Sequence, residues 1–251
     1  MFETIDLAVD HRGVATLSLN RPDKGNAING RMLGELHEAF ARLAQDAGVR
    51  MLVLRGKGKH FCAGADLGGR GDAPASVTLA DMLRALDVFP KPTICVVQRG
   101  CVGGGLALAA CCDVVLAYEE AFFSVPEVRI GIAPSFALSQ YFMRALGSRA
   151  LRRYGLSGER IESQTALRLG LAHEVVAEEA AESRLEAMVD EFMHAAPEAG
   201  ALLKSRIAHL ASGAPEPDAS GEPRGLGRSA ESIEGVAAYR EKRKPSWYKP
   251  S

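Results

Sequence analysis

Gly100-Cys101-Val102-Gly103-Gly104-Gly105-Leu106 follows the apolar run at 93–97 and leads into a small-residue stretch at 106–112. An unbroken apolar run of this length reads as a strand buried on both faces. The glycines let a ligand approach the main chain closely, and the stretch at 106–112 reads as a helix of small residues. A strand that passes through glycine into a helix leaves unpaired N–H donors and the positive end of the helix dipole at the junction. His60-Phe61-Cys62-Ala63-Gly64-Ala65-Asp66-Leu67, after the apolar run at 51–54, has the same form. Two such donors converging on one point make an oxyanion hole, which stabilises developing negative charge.

Outward from these segments the same alternation continues. Residues 14–19 alternate as a half-buried strand, and 114–117 form a further apolar run. Leu33, Leu36, Phe40 and Leu43 recur at helical spacing behind Asn29, a helix-capping residue type. Leu79, Met82, Leu83 and Leu86 form a second stripe, closed by Pro90. Short apolar strands alternating with helices predict an α/β protein with largely parallel pairing. After about residue 148 the pattern is helical: short helices over 149–171 with Gly170 as a stop, a stripe at Leu185, Met188, Val189 and Phe192, and helices over 197–210 and 229–243. Residues 212–228 are rich in Gly, Pro and Ser and read as an exposed, flexible segment.

Composition narrows the function. The chain has 251 residues, 47% hydrophobic and 24% charged, enough apolar material for a sizeable core. Thirty basic residues against 31 acidic ones argue for neither nucleic acid nor a membrane surface. The first ten residues lack the features of a signal or transit peptide, and no run reaches the roughly 20 apolar residues of a membrane span. The expectation is a cytoplasmic protein. The cysteines, Cys62, Cys95, Cys101, Cys111 and Cys112, lack metal-ligand spacing and read as small core residues; no metal site is expected. Gly103-Gly104-Gly105 fits neither a P-loop nor a dinucleotide fingerprint, and no serine-hydrolase elbow occurs.

Read in order, these stretches resemble one family. Asn20-Arg21-Pro22-Asp23-Lys24-Gly25-Asn26-Ala27, Phe61-Cys62-Ala63-Gly64-Ala65-Asp66-Leu67, Gly103-Gly104-Gly105, Cys112-Asp113 and Pro126-Glu127-Val128-Arg129-Ile130-Gly131 match crotonase motifs. So do Glu234-Gly235-Val236-Ala237-Ala238-Tyr239 and Glu241-Lys242-Arg243-Lys244-Pro245 near the end. The chain is therefore similar to the crotonase (enoyl-CoA hydratase/isomerase) family over nearly its whole length. The resemblance implies a spiral of β-β-α turns with a C-terminal helical trimerisation region. It implies an acyl-CoA-binding core over 1–190 and a helical oligomerisation region over 191–251.

The resemblance also implies roles. The thioester oxygen would accept hydrogen bonds from the N–H groups of Ala65 and Gly104. Glu127 would be the acid/base. Lys24, Ala27, Ala63, Ala65, Asp66, Leu67, Gly68 and Gly104 would bind the substrate. Coenzyme A is part of that substrate, so no separate cofactor is implied, and the partners are an acyl-CoA thioester and further copies in a homotrimer or dimer of trimers. Glu127 is flanked by Phe122, Phe123, Val125, Pro126, Val128 and Ile130, and burial there would raise its pKa. Asp66 and Asp113 read as cap or turn residues, and Tyr141 and Phe142 as core. Lys242-Arg243-Lys244 reads either as a solvated helix end or as a contact for coenzyme A phosphates.

One position departs from the family's hydratases, which usually carry two glutamates. The first of these positions is Ala107 here. Two carboxyls divide proton removal and proton delivery; one alone must do both in sequence. The readings left open are reversible hydration of a 2-enoyl-CoA, Δ3,Δ2 double-bond isomerisation, and acyl-CoA binding with little catalysis. Residues 124–134 and Leu151-Arg152-Arg153-Tyr154 look most like bacterial methylglutaconyl-CoA type hydratases, which act on branched or carboxylated thioesters. Arg129 could meet a substrate carboxylate, but a structural ion pair is the simpler expectation.

Overall fold

The computed structural model describes residues 2–68, 77–213 and 229–250. Six strands form the main sheet in the order β1 (Ile5–Val9), β2 (Val14–Leu19), β3 (Met51–Gly56), β4 (Thr93–Val97), β6 (Val114–Tyr118) and β9 (Glu174–Val176). Only β1 runs antiparallel to its neighbour; β2 through β9 pair in parallel. A second sheet of short strands stacks β5 (Gly100–Val102), β7 (Phe122–Ser124) and β8 (Ile161–Glu162), with β5 and β7 parallel. A bridge between Cys62 and Cys101 extends this layer to the segment after β3. The turns β4-β5-α3 and β6-β7-α4 each give one strand to the large sheet and one short strand to the small sheet before a helix, which is the expected spiral of β-β-α turns.

The helices close the spiral. Asn29 caps α1 (Gly30–Gln45) by accepting from the Met32 N–H at 3.0 Å, as its residue type foretold. Thr78 and Asp81 form a capping box at the start of α2 (Leu79–Asp87). The helix α3 (Gly104–Cys111) is buried all round, which its small residues permit. The helix α4 (Phe136–Ser157) is broken at Gly147, whose φ of 67° and ψ of 165° are not helical. Gly170 ends α5 (Ser163–Leu169) in a left-handed cap, as expected. All five cysteines are buried and free. No helix among the described residues is long and apolar enough to cross a membrane.

The rest of the chain is helical: α6 (Ala181–His194), α7 (Pro197–Ala211) and α8 (Ala230–Glu241). The sequence suggests that Val189, Phe192 and Met193 belong to a surplus of apolar surface awaiting a partner. They do not, because α6 lies across the outer face of the main sheet. Val189 and Met193 are buried there against Val14, Met51, Val53, Ile94, Val96 and Leu116, and Phe192 packs at the edge. The surplus is confined to Leu202, Leu203, Ile207 and Leu210 on α7, which are 44% to 76% exposed. Lys204 docks α7 onto the body through Asp113 at 2.7 Å and the Lys91 carbonyl at 2.9 Å. Asp113 also accepts from the Thr93 N–H and hydroxyl, both at 2.8 Å, so it is a structural acid. The flexible segment expected over 212–228 lies, from 214 onward, outside the described residues.

Candidate active site

The segment 20–28 folds around a buried asparagine. Asn26 has φ of 56°, a conformation that asparagine tolerates better than most residues. Its side chain accepts from the Arg21 N–H at 2.9 Å and donates to the carbonyls of Lys57 and His60 at 2.9 and 2.8 Å. Arg21 in turn donates to the Ala27 carbonyl and pairs with Asp66 at 2.8 Å. Asp66 also accepts from the Gly68 N–H at 3.1 Å, so its carboxylate holds the loop, as its reading as a turn residue requires. The Ala63 N–H donates to Gly25 at 2.9 Å. These bonds bring Lys24, Ala27 and the run Ala63–Gly68 together along one open edge. Ala27 is buried, whereas Lys24, Ala63, Ala65, Leu67 and Gly68 are exposed.

Backbone geometry fixes where the donors point. Ile28 and Ala65 form a parallel bridge: the Ile28 N–H donates to Gly64 at 2.7 Å and the Asp66 N–H to Ile28 at 2.9 Å. In such a bridge the central residue's own N–H faces the other way, so the Ala65 N–H is turned from Ile28. Gly64, at φ of 91°, packs against the next layer: a Cβ there would lie 3.0 Å from the Val102 carbonyl and 3.7 Å from the Gly104 nitrogen. The Ala65 segment and the start of α3 are thus in backbone contact. Gly103, the N-cap of α3, has no side chain to satisfy the first turn of N–H groups. His60 plays a structural part, its Nδ1 accepting from the Gly100 N–H at 3.2 Å.

Glu127 completes the cluster. It opens a 3₁₀ turn at Glu127–Ile130, separated from the end of β7 by two residues. Gly103 donates its N–H to Ser124 at the end of β7, so the strand ladder sets Glu127 beside the α3 N-terminus. A Cβ on Gly103 would lie 2.6 Å from Glu127 Oε1. Glu127 Oε2 is buried with no hydrogen-bond partner, the only such side-chain atom among the described residues. Burial pushes the carboxyl above the ordinary glutamate value, and a hydrogen bond from its own backbone opposes this weakly. Ala107, one turn into α3, is fully buried and supplies no second carboxylate.

Other sequence expectations resolve individually. Arg129 forms no ion pair among the described residues; its Nε donates to the Ser157 carbonyl at 2.7 Å and its stem packs on Gly158. The close approach of Gly158 favours that main-chain bond over a carboxylate partner. Phe142 is core, while Tyr141 is half-buried. Arg243 pairs with Glu234 and Glu241 of its own chain, at 2.7 and 2.6 Å. The contact between Gly103 and Glu127 was not legible in the sequence. A φ of 51° at Gly103, with Cβ space already filled, is the signal behind the central glycine run.

Comparison with known proteins shows the family and the fold. A family model described as Enoyl-CoA hydratase/isomerase matches residues 10–250. The enoyl-CoA hydratase ACTT6 of Alternaria alternata is 34% identical over 196 residues, 76% of this chain and 65% of that protein. The 2,3-dehydroadipyl-CoA hydratase of Escherichia coli (strain K12) is 36% identical over 166 residues, 64% of this chain and 65% of that protein. The chain thus spans just under two thirds of the length of either curated relative. The crystal structure of an enoyl-CoA hydratase from Shewanella pealeana superposes with a TM-score of 0.87 at 32% identity, covering 98% of this chain and 97% of that one.

Proposed function

We propose that this chain, which belongs to the enoyl-CoA hydratase/isomerase family, adds water reversibly to the double bond of a 2-enoyl-CoA thioester. The observation that carries this reading is Glu127 Oε2, a buried oxygen without a hydrogen-bond partner on a carboxyl set against the N-cap of α3. An unpartnered buried oxygen is costly to the fold, and the burial that raises the carboxyl's pKa makes its ionised form a stronger base. The thioester oxygen lies between the N–H groups of Ala65 and Gly104. Carboxylate Glu127 takes a proton from water as the water oxygen bonds to the β-carbon. The electron pair moves onto the thioester oxygen, where the two donors stabilise the enolate. The same carboxyl then returns its proton to the α-carbon.

Lys24, Ala27 and the run Ala63–Gly68 hold the coenzyme A arm, with Lys24 available to a phosphate. Substrates include branched or carboxylated acyl groups, a scope supported by the dicarboxylic thioester in the Escherichia coli relative's name. The assembled form is a homotrimer or a dimer of trimers, using the exposed α7 face.

Ala107 supports a second reading. With one carboxyl and no second group to hold water, the site also suits Δ3,Δ2 isomerisation, in which Glu127 carries a proton between two carbons. Crotonyl-CoA, 3-methylglutaconyl-CoA and a 3-enoyl-CoA, followed by conjugated thioester absorbance, separate the readings. Hydration of a 2-enoyl substrate is the expected result. Turnover of the 3-enoyl substrate alone would replace hydration by isomerisation, and tight binding without any turnover would make the chain an acyl-CoA binder.

A further inference from the structure

A cleft of about 710 Å³ opens between α2, α4 and the end of α7, apart from the residues assigned above. Two of its walls begin at the candidate active site. Leu79, which starts α2, lies 3.8 Å from the Cβ position of Gly104. The helix α4 packs on the turn that carries Glu127 and contributes its first residue, Phe136, to the cleft. At about 1.5 Å per residue, Arg84 and Asp87 stand about 8 and 12 Å along α2 from Leu79. The cleft thus lies within the reach of an acyl chain that runs along α2 from the thioester.

The lining is amphipathic and carries a net positive charge. Val88 and Phe136 are 70% and 81% exposed, offering apolar surface to a methylene chain. Arg144 is committed to Asp87 at 2.9 Å, and it lies over the Tyr141 ring, 5.7 Å from its centroid. Arg84 forms no ion pair among the described residues, which leaves its guanidinium available in the cleft. Arg84, Arg144 and Asp87 all act electrostatically on Tyr141. Its phenol is pushed up to about 12, by burial first and then by Cys111 and Asp87. It therefore stays a protonated donor, and its hydroxyl makes no hydrogen bond among the described residues.

We propose that this cleft receives the distal end of the acyl chain, and that Arg84, supported by the Tyr141 hydroxyl, binds a terminal carboxylate there. The substrate class is then the medium-length 2-enoyl-CoA thioesters whose acyl group ends in a second carboxylate. This rests on the acyl-CoA reading above and deepens it. A planar guanidinium offers a carboxylate two parallel bonds, and charge-assisted bonds are the stronger ones.

Calorimetric binding of saturated thioesters to the full chain tests this without turnover. Adipyl-CoA is expected to bind about tenfold more tightly than hexanoyl-CoA, the range of one charge-assisted bond. Arg84→Ala should bring the ratio of the two affinities close to one, Arg84→Lys should keep part of it, and Arg84→Glu should invert it. Arg84 is exposed, so these variants are expected to fold. Equal binding of both thioesters by the parent, or a ratio indifferent to Arg84→Ala, overturns this proposal alone. If neither thioester binds, the acyl-CoA reading fails and the proposal falls with it.

Discussion

The α-carbon of Gly103 and the carboxylate of Glu127 are packed so closely that a Cβ on the glycine would sit 2.6 Å from Oε1. The pair ties a helix N-terminus to a buried acid. Everything proposed for the site depends on that juxtaposition.

Gly103→Ala should therefore damage the site more than the fold. The new methyl displaces the carboxylate, and φ of 51° adds backbone strain of about 1 to 2 kcal/mol. Turnover is expected to fall at least about 100-fold, the scale of losing an oxyanion contact, while circular dichroism keeps its shape. An alanine variant with parental turnover would show that Glu127 is free to sit elsewhere.

Glu127→Gln should change stability with a definite sign in pH. Burial raises the folded-state pKa of Glu127 above its ordinary 4.5. Below 4.5 the carboxyl is protonated in both states and carries no penalty; as pH rises through the folded value, ionisation increasingly destabilises the fold. Glutamine removes that charge. The Tm difference, variant minus parent, should be about 2 °C more positive near pH 8 than near pH 4. A difference independent of pH, read by calorimetry, would mean that Glu127 is not desolvated.

Asp113→Ala removes acceptors from the Thr93 N–H, the Thr93 hydroxyl and Lys204 together. The expected loss is about 2 kcal/mol, or about 4 to 8 °C in Tm, with faster amide exchange in α7. Asp113→Asn should lose less, because it can still accept from Thr93. Unchanged exchange in α7 would remove Lys204–Asp113 as the dock.

The exposed α7 face should be covered in solution. Leu203 and Ile207 are 58% and 57% exposed, and apolar patches of this kind mark subunit contacts. Light scattering is expected to give a multiple of 26.7 kDa, and the double variant Leu203→Asp/Ile207→Asp is expected to lower it. A parental monomer at micromolar concentration would contradict the assembly.

The parts of the fold that the sequence announces are those with enough residues to show a period. β3, β4 and β6 read as apolar runs because they are buried on both faces, whereas β2, whose alternation suggests a half-buried strand, is in fact buried along nearly its whole length because the main sheet is covered on both sides. The capping asparagine at 29 and the left-handed Gly170 mark helix ends by chemistry that depends on neighbours alone. β5, β7 and β8 are two or three residues long. They are strands only because another turn of the spiral supplies their partners, so no local pattern reveals them. β1 was also missed, because as an edge strand it carries a mixed burial pattern. In the site, the glycines and Glu127 stand out through family resemblance. Cβ positions already occupied by other atoms, the property that makes Gly64 and Gly103 obligatory, exist only in three dimensions. Likewise Val189 and Met193 look like interface residues until α6 is seen lying on the sheet.

The role of Glu127 is tested most directly by one pair of rate and binding measurements on Glu127→Gln with crotonyl-CoA. Hydration, read as loss of the conjugated thioester absorbance, is expected to fall at least about 100-fold, while the thioester still binds within a few-fold of the parent. Glutamine keeps the shape of the side chain and removes only its capacity to carry the proton. Hydration at the parental rate by this variant would contradict the assignment of Glu127 as the group that moves the proton.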